Sequence, residues 1–266
     1  MESLRAWAEI DLDALAHNLW VIRRRAGHNR RVMLVVKADA YGHGAVPIAR
    51  HAVRCGIAAL GVGTSAEALE LRQAGIEVPI LVLGTVLDAE LQDCLRHDVH
   101  IGLHSSDRRA SLQALAEEMG VVARVHLNVD TGMGRLGVLP ARALDLLREI
   151  RASDHLELAG VMTHVSAPEG LVARSTQEQL ARFEQVVAGA RAEKLLDGWI
   201  HVANSAALFT GIDRYDTVRP GIAAYGALAR ELPGALELRQ VMTLRSQVVF
   251  LKDVPDDFCF DQIWFN

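Results

Sequence analysis

Apolar positions along the chain fall into eight short runs, at 32–36, 58–62, 80–83, 100–103, 125–129, 158–163, 200–203 and 217–219. Each run is nearly all apolar, as expected of parallel strands covered on both faces. The segments between them carry helical periodicity. Several end in a glycine that leads directly towards the next run, at Gly27, Gly56, Gly75 and Gly120; a left-handed glycine at a helix C-terminus turns the chain this way. Thr64-x-x-Glu67 and Ser175-x-x-Glu178 read as capping boxes, and Pro140 as a first-turn proline. Eight strands alternating with helices predict an α/β fold, a closed (β/α)8 TIM barrel in preference to an open doubly wound sheet. In a closed barrel the chemistry sits at the carboxyl ends of the strands.

A length of 266 residues, half of them apolar, suits one barrel with a large core. The net charge of −5 supplies no broad positive field, which argues against nucleic acid or an anionic membrane as partner and leaves a small molecule. Residues 1–20 carry acidic groups and no unbroken apolar stretch, so they read as neither signal peptide nor membrane span, and a cytoplasmic location is expected. Cys55, Cys94 and Cys259 are far apart, odd in number and read as reduced structural thiols.

The strand ends carry the candidate chemistry. The first run closes on Val35-Val36-Lys37-Ala38-Asp39-Ala40-Tyr41-Gly42-His43-Gly44, which puts a lysine at a strand terminus among small residues. Such an amine reads either as a nucleophile whose pKa is lowered by desolvation, suited to condensation with a carbonyl, or as a lysine reaching from a strand end to solvent. Later strand ends add Asp130-Thr131-Gly132-Met133-Gly134-Arg135, Thr163-His164, Ala203-Asn204-Ser205-Ala206 and Val218-Arg219-Pro220-Gly221-Ile222. Loops after the last two strands of such barrels often bind phosphate, and Ser205 with the amides of Gly221 and Ile222 could donate to one. Singly, Ser205 reads as a helix cap, Arg219 as a surface ion pair and His164 as a locally satisfied imidazole; their convergence on one rim favours a site.

Segments 35–44, 129–137, 203–207 and 219–226, with 7–14 at the start, resemble the signature segments of bacterial alanine racemases, and the similarity runs from about residue 5 to about 254. The resemblance implies pyridoxal 5'-phosphate as cofactor and interconversion of L- and D-alanine, which supplies D-alanine for peptidoglycan. It implies that Lys37 holds the cofactor covalently and, once displaced, moves a proton on the D-face, while a tyrosine of a partner subunit serves the L-face. Tyr41, Asn204, Ser205, Gly221 and Ile222 would bind the cofactor, mostly at its phosphate. Arg219 would face the pyridine nitrogen, held by a hydrogen bond to His164, and Arg135 would polarise the phenolic oxygen and orient the substrate carboxylate. An arginine cannot take the pyridine proton, so the ring stays a weak electron sink and transamination is limited.

Two departures from the family pattern follow. Residues 1–235 read as the barrel and 236–254 as the first strand or two of a C-terminal β-domain, with no sheet for a strand starting at 241 to join. Residues 255–266 are out of character: three of the six phenylalanines fall in the last nine positions, which reads as a frameshift or premature stop, or as a natural short variant. On this reading racemisation is impaired and the family's homodimer is in doubt. Asn128 stands where many relatives have a carbamylated lysine, so Arg135 needs another partner, such as a bound anion, or is held less firmly. The competing functions are a non-catalytic pyridoxal-phosphate-binding barrel protein and an aldolase-type barrel using Lys37 as its own Schiff base.

Overall fold

The computed structural model describes residues 5–166, 174–212, 215–229 and 231–253. Strand β1 (Ala6–Ile10) precedes the barrel, whose strands are β2 (Arg31–Val35), β3 (Ala59–Val62), β4 (Ile80–Val82), β5 (His100–Leu103), β6 (Ala123–Asn128), β7 (Leu156–Met162), β8 (Trp199–His201) and β9 (Thr217–Val218). They close in sequence order, all parallel, with Val32 of β2 paired to Val218 of β9. The predicted (β/α)8 barrel is therefore the observed one, each strand within about two residues of its apolar run.

The punctuation works as the sequence suggests. Gly120 ends the helix Ser106–Met119 in the left-handed conformation (φ 66°, ψ 32°), and Thr64 with Glu67 forms a complete capping box on the helix Ser65–Gln73. Pro140 starts the helix Pro140–Arg151. The second expected box does not form: Ser175 already lies inside the helix Arg174–Ala192, and Glu178 pairs with Arg174 at 3.1 Å and Arg182 at 3.6 Å. Two guanidiniums one turn away on either side outcompete a backbone N–H for that carboxylate.

The core has two parts. Outside the barrel wall, the outward faces of the strands pack on the helices through residues such as Leu34, Leu60, Ile80 and Phe183. Inside it, Met33, Ala59, Leu81 and Met162 form a small cluster of their own.

The strand expected at 241 without a partner has one. Strand β10 (Met242–Ser246) pairs antiparallel with β1, from Ala6 opposite Ser246 to Ile10 opposite Met242, and the Asp11 amide donates to the Val241 carbonyl at 2.8 Å. The first residues of the chain supply the missing edge, a pairing that spans the whole sequence and leaves no local signal. Beyond it Val248, Val249, Phe250 and Leu251 are exposed. The unusual stretch 255–266, Cys259 included, lies outside the described residues.

Candidate active site

At the carboxyl ends of the barrel strands opens a cavity of about 630 Å³. Lys37, Tyr41, Arg135, His164, Asn204, Ser205, Arg219, Gly221 and Ile222, the nine residues singled out from the sequence, all line it.

Lys37 leaves β2 into an unusual turn. Ala38, Asp39, Ala40 and Tyr41 are all left-handed, with φ between 51° and 54°, and none is a glycine. L-residues disfavour this conformation by about 1–2 kcal/mol each, so the turn must be held. The Glu67 carboxylate accepts the Ala38 amide at 2.7 Å with one oxygen and the Gly63 amide at 2.7 Å with the other, and Asp39 accepts the Ala45 amide at 2.6 Å. Glu67 thus does more than cap its own helix. The turn brings the Tyr41 ring to 5.9 Å from the Lys37 Nζ, within cation–π range, and packs it at a 49° tilt against the buried Tyr225 at 5.2 Å. The shielding expected of Lys37 is absent: its side chain is exposed, because the small residues beside it turn away into the left-handed loop.

Arg219 is buried at 4% exposure, and no carboxylate pairs with it among the described residues. Its Nη1 donates to the His201 carbonyl at 2.6 Å and to His201 Nδ1 at 3.0 Å, and its Nη2 to the carbonyls of Thr163 at 2.8 Å and Val202 at 3.3 Å. Burial lowers its pKa to about 10, still far above neutrality, so the group stays cationic. A guanidinium has five N–H donors; four are used here, and Nε–H is left without a described partner at the cavity wall. The expected hydrogen bond to His164 is not formed. His201 takes that place, because its strand carries the imidazole beneath the guanidinium, whereas His164 lies on the rim. Burial and then the charges of Arg219, Arg135 and Lys37 push His164 down to about 4, so it is neutral at physiological pH.

Opposite Lys37 the last two loops meet. Ser205 Oγ accepts the amides of Gly221 at 2.9 Å and Ala223 at 3.2 Å. The Gly221 amide is therefore engaged with protein here, contrary to its expected role as a free donor, while the serine O–H proton and the Ile222 N–H have no described acceptor. A Cβ on Gly221 would sit 2.5 Å from the Tyr41 hydroxyl, so glycine is what lets the tyrosine reach this loop. Burial raises the Tyr41 phenol and keeps it protonated, a donor. Asn204 lines the cavity, but its side chain is spent on the chain itself, capping Ala207 at 2.9 Å and donating to the Val165 carbonyl at 3.2 Å. It positions Ser205 and has little left for a ligand.

Arg135 sits on a folded-back loop. Asp130 Oδ1 accepts the amides of Gly132 and Gly134, each at 3.0 Å, and the Asn128 amide donates to the Leu136 carbonyl at 2.9 Å. Asn128 therefore pins the loop and does not touch the guanidinium, and Arg135 is exposed with no hydrogen bond or ion pair to the described residues.

These elements recur in known proteins. The family described as "Alanine racemase, N-terminal domain" matches residues 10–229. The chain belongs to the alanine racemase family. It is similar to the alanine racemase of Halothermothrix orenii, 38% identical over 254 residues, covering 94% of this chain and 66% of the relative. With that of Desulforamulus reducens it shares 39% identity over 252 residues, covering 93% and 68%. The solved alanine racemase of Clostridium difficile in complex with cycloserine superposes with a TM-score of 0.91 at 31% identity, covering 95% of this chain and 71% of that one. The chain thus spans about two thirds of the length of the curated alanine racemases it matches.

The donors around this alanine racemase barrel's cavity suit a phosphorylated aldehyde such as pyridoxal 5'-phosphate: an amine at one side, hydroxyl and amide protons without acceptors at the other, and an unspent guanidinium N–H between them. Sequence reasoning missed Glu67 as a clamp on the turn, and His201 as the anchor of Arg219. His201 had a signal in the sequence, an imidazole within an otherwise apolar strand run. Among the described residues no helix is long and apolar enough to cross a membrane.

Proposed function

We propose that this chain is the barrel part of an alanine racemase that binds pyridoxal 5'-phosphate through Lys37 and interconverts L- and D-alanine. The observation that carries the reading is the sharing of one cavity by Lys37, the free Nε–H of Arg219 and the open donors of Ser205 and Ile222. When bound, the cofactor acidifies the α-proton of an amino acid joined to its aldehyde carbon.

The protein's residues do the rest. Lys37 would hold the aldehyde and, when free, its amine would take or return a proton at Cα on its own face. Ser205, Ile222 and the protonated Tyr41 hold the phosphate. Arg219 would donate its Nε–H to the ring nitrogen; having no proton it can readily give up, it would leave that nitrogen unprotonated and so favour proton exchange at Cα. Arg135 orients the substrate carboxylate, its charge unspent on protein. The opposite face of Cα needs its own acid–base group, which the resemblance assigns to a partner subunit's tyrosine, so racemisation depends on a dimeric assembly. Cycloserine, present in the Clostridium difficile relative's structure, is a ligand to try against the same cavity. A carrier protein would have no use for Arg135 in this position.

The test is a visible absorption band when the purified chain meets pyridoxal 5'-phosphate, fixed to Lys37 by borohydride, together with D-alanine formation from L-alanine. Absence of a band, or a band unchanged in Lys37→Ala, overturns the assignment.

A further inference from the structure

The barrel interior holds a column of imidazoles that the reaction as described does not use. His100 on β5, His126 on β6 and His201 on β8 are buried, at 8%, 0% and 0% exposure. His100 Nδ1 lies 3.0 Å from His126 Nε2, His126 Nδ1 lies 2.9 Å from His201 Nε2, and His201 Nδ1 lies 3.0 Å from Arg219 Nη1. The four side chains form one continuous hydrogen-bonded line. It runs from the cofactor end of the barrel to the opposite mouth, where His100 lines a second cavity together with Arg72 and Arg124.

The direction of the line follows from its first member. A guanidinium can only donate, so His201 Nδ1 must accept, and the His201 proton sits on Nε2. That N–H donates to His126 Nδ1, which puts the His126 proton on Nε2, and this in turn donates to His100 Nδ1. One arginine at the top fixes three tautomers below it.

The backbone makes room for the column. The β6–β7 register shifts between Val125 and His126, so that Val125 faces Leu158 while His126 faces Gly160, and Ala159 is left over as a bulge. A Cβ on Gly160 would stand 2.4 Å from His126 Nδ1. Bulge and glycine together clear the space in which that nitrogen accepts, a construction that aliphatic filling of the barrel would not need.

We propose that His126 and His100 are positioning residues for the reaction: acting through His201, they lock the Arg219 guanidinium, fully charged, with its Nε–H aimed into the cofactor cavity. This rests on the reading of Arg219 as the ring-nitrogen partner. Neutral imidazoles and carbonyls hold a buried cation in place without cancelling its charge, which a carboxylate anchor would do. All three imidazoles are depressed, His100 to about 4 and the other two well below the usual histidine range; burial is the largest cause in each, with neighbouring positive groups adding to it and Asp98 opposing it at His100.

Nitrogen NMR of the isotope-labelled chain at neutral pH tests the proposal, alone and with pyridoxal 5'-phosphate, on the wild type, His126→Phe and His126→Gln. The wild type is expected to show the Nε2–H tautomer at all three histidines. In His126→Phe, His201 loses its single tautomer and the Arg219 guanidinium protons exchange about tenfold faster, the size of one lost charge-assisted hydrogen bond. In His126→Gln, whose amide can accept from His201 and donate to His100, both readouts recover. A proton on Nδ1 of any of the three overturns the proposal, as does a folded His126→Phe protein whose Arg219 exchange and cofactor spectrum match the wild type. If the phenylalanine variant fails to fold, the wild-type tautomers and the glutamine variant decide. Failure of the wild type to bind pyridoxal 5'-phosphate would sink the proposed function, while the tautomer and exchange measurements would still judge the relay.

Discussion

Acid should unfold this barrel at a pH where most of its carboxylates are still ionised. His100, His126 and His201 are neutral in the folded protein, with His100 depressed to about 4 and the other two well below the ordinary value. In the unfolded chain each titrates near 6.5. Below that pH the unfolded state binds protons that the folded state refuses, so stability is fully present above about 6.5 and falls as pH drops towards the folded-state values. At pH 5 each imidazole contributes about 2 kcal/mol to the loss relative to pH 7.5, or roughly 6 kcal/mol for three. That is comparable with the whole stability of a typical domain. Asp98 opposes the shift at His100, whereas Arg72, Arg124 and, deeper in, Arg219 reinforce the column's reluctance to charge. His164, also held at about 4, adds to the effect of the column, so urea titrations between pH 7.5 and 5 should show the unfolding free energy falling by several kcal/mol, with a slope of about three protons or more taken up. In His100→Gln the loss should shrink by about 2 kcal/mol. A loss of less than about 1 kcal/mol over that interval, or an unchanged slope in the variant, would show that the imidazoles are not held neutral.

Two further outcomes follow from the site's backbone. Gly221→Ala places a methyl against the Tyr41 hydroxyl, and pyridoxal 5'-phosphate should bind about tenfold more weakly, read from the absorbance titration; unchanged affinity would remove Tyr41 from the phosphate cradle. Ala38→Gly relieves a left-handed residue on the exposed side of the turn (φ 52°, ψ 55°), and should raise stability by about 0.5–1 kcal/mol in urea despite the usual cost of glycine. Destabilisation instead would mean that the turn carries no strain there.

The barrel was legible because its signal is local. Strand runs such as 58–62 and helix stops such as Gly120 are each complete within a few residues, and parallel closure follows from their number and order. The lining of the site was legible for the same reason: strand ends are where a barrel keeps its chemistry, so position pointed to most of the nine lining residues, and the family resemblance added Tyr41 and the individual roles. Pairings between distant parts of the chain were not legible. The β1–β10 sheet joins Ala6 to Ser246, and the His201 anchor beneath Arg219 depends on which strand stands beside which and which way each residue faces. The left-handed turn after Lys37 was invisible as well, since Ala38–Tyr41 contains none of the glycines that normally announce it; it exists because Glu67, thirty residues away in round terms but adjacent in space, accepts its first amide.

The electrostatics of the cavity argue for what belongs in it. Lys37, Arg135 and Arg219 all line it, and Asp130 is the one carboxylate among its described lining residues. Asp130 is already committed to the amides of Gly132 and Gly134. Arg219 is buried and anchored only by neutral groups, an arrangement that is costly unless the charge is used. Three cations with so little internal compensation are matched by a ligand carrying a phosphate and a carboxylate, and the geometry divides the work: hydroxyl and amide donors for the phosphate, Arg135 for the carboxylate, Arg219 for an aromatic nitrogen between them. A neutral sugar or a nucleobase would leave those charges unmet. Such a pocket suits the proposed phosphorylated aldehyde together with an amino acid, and the imidazole column beneath Arg219 anchors one of those charges with neutral groups.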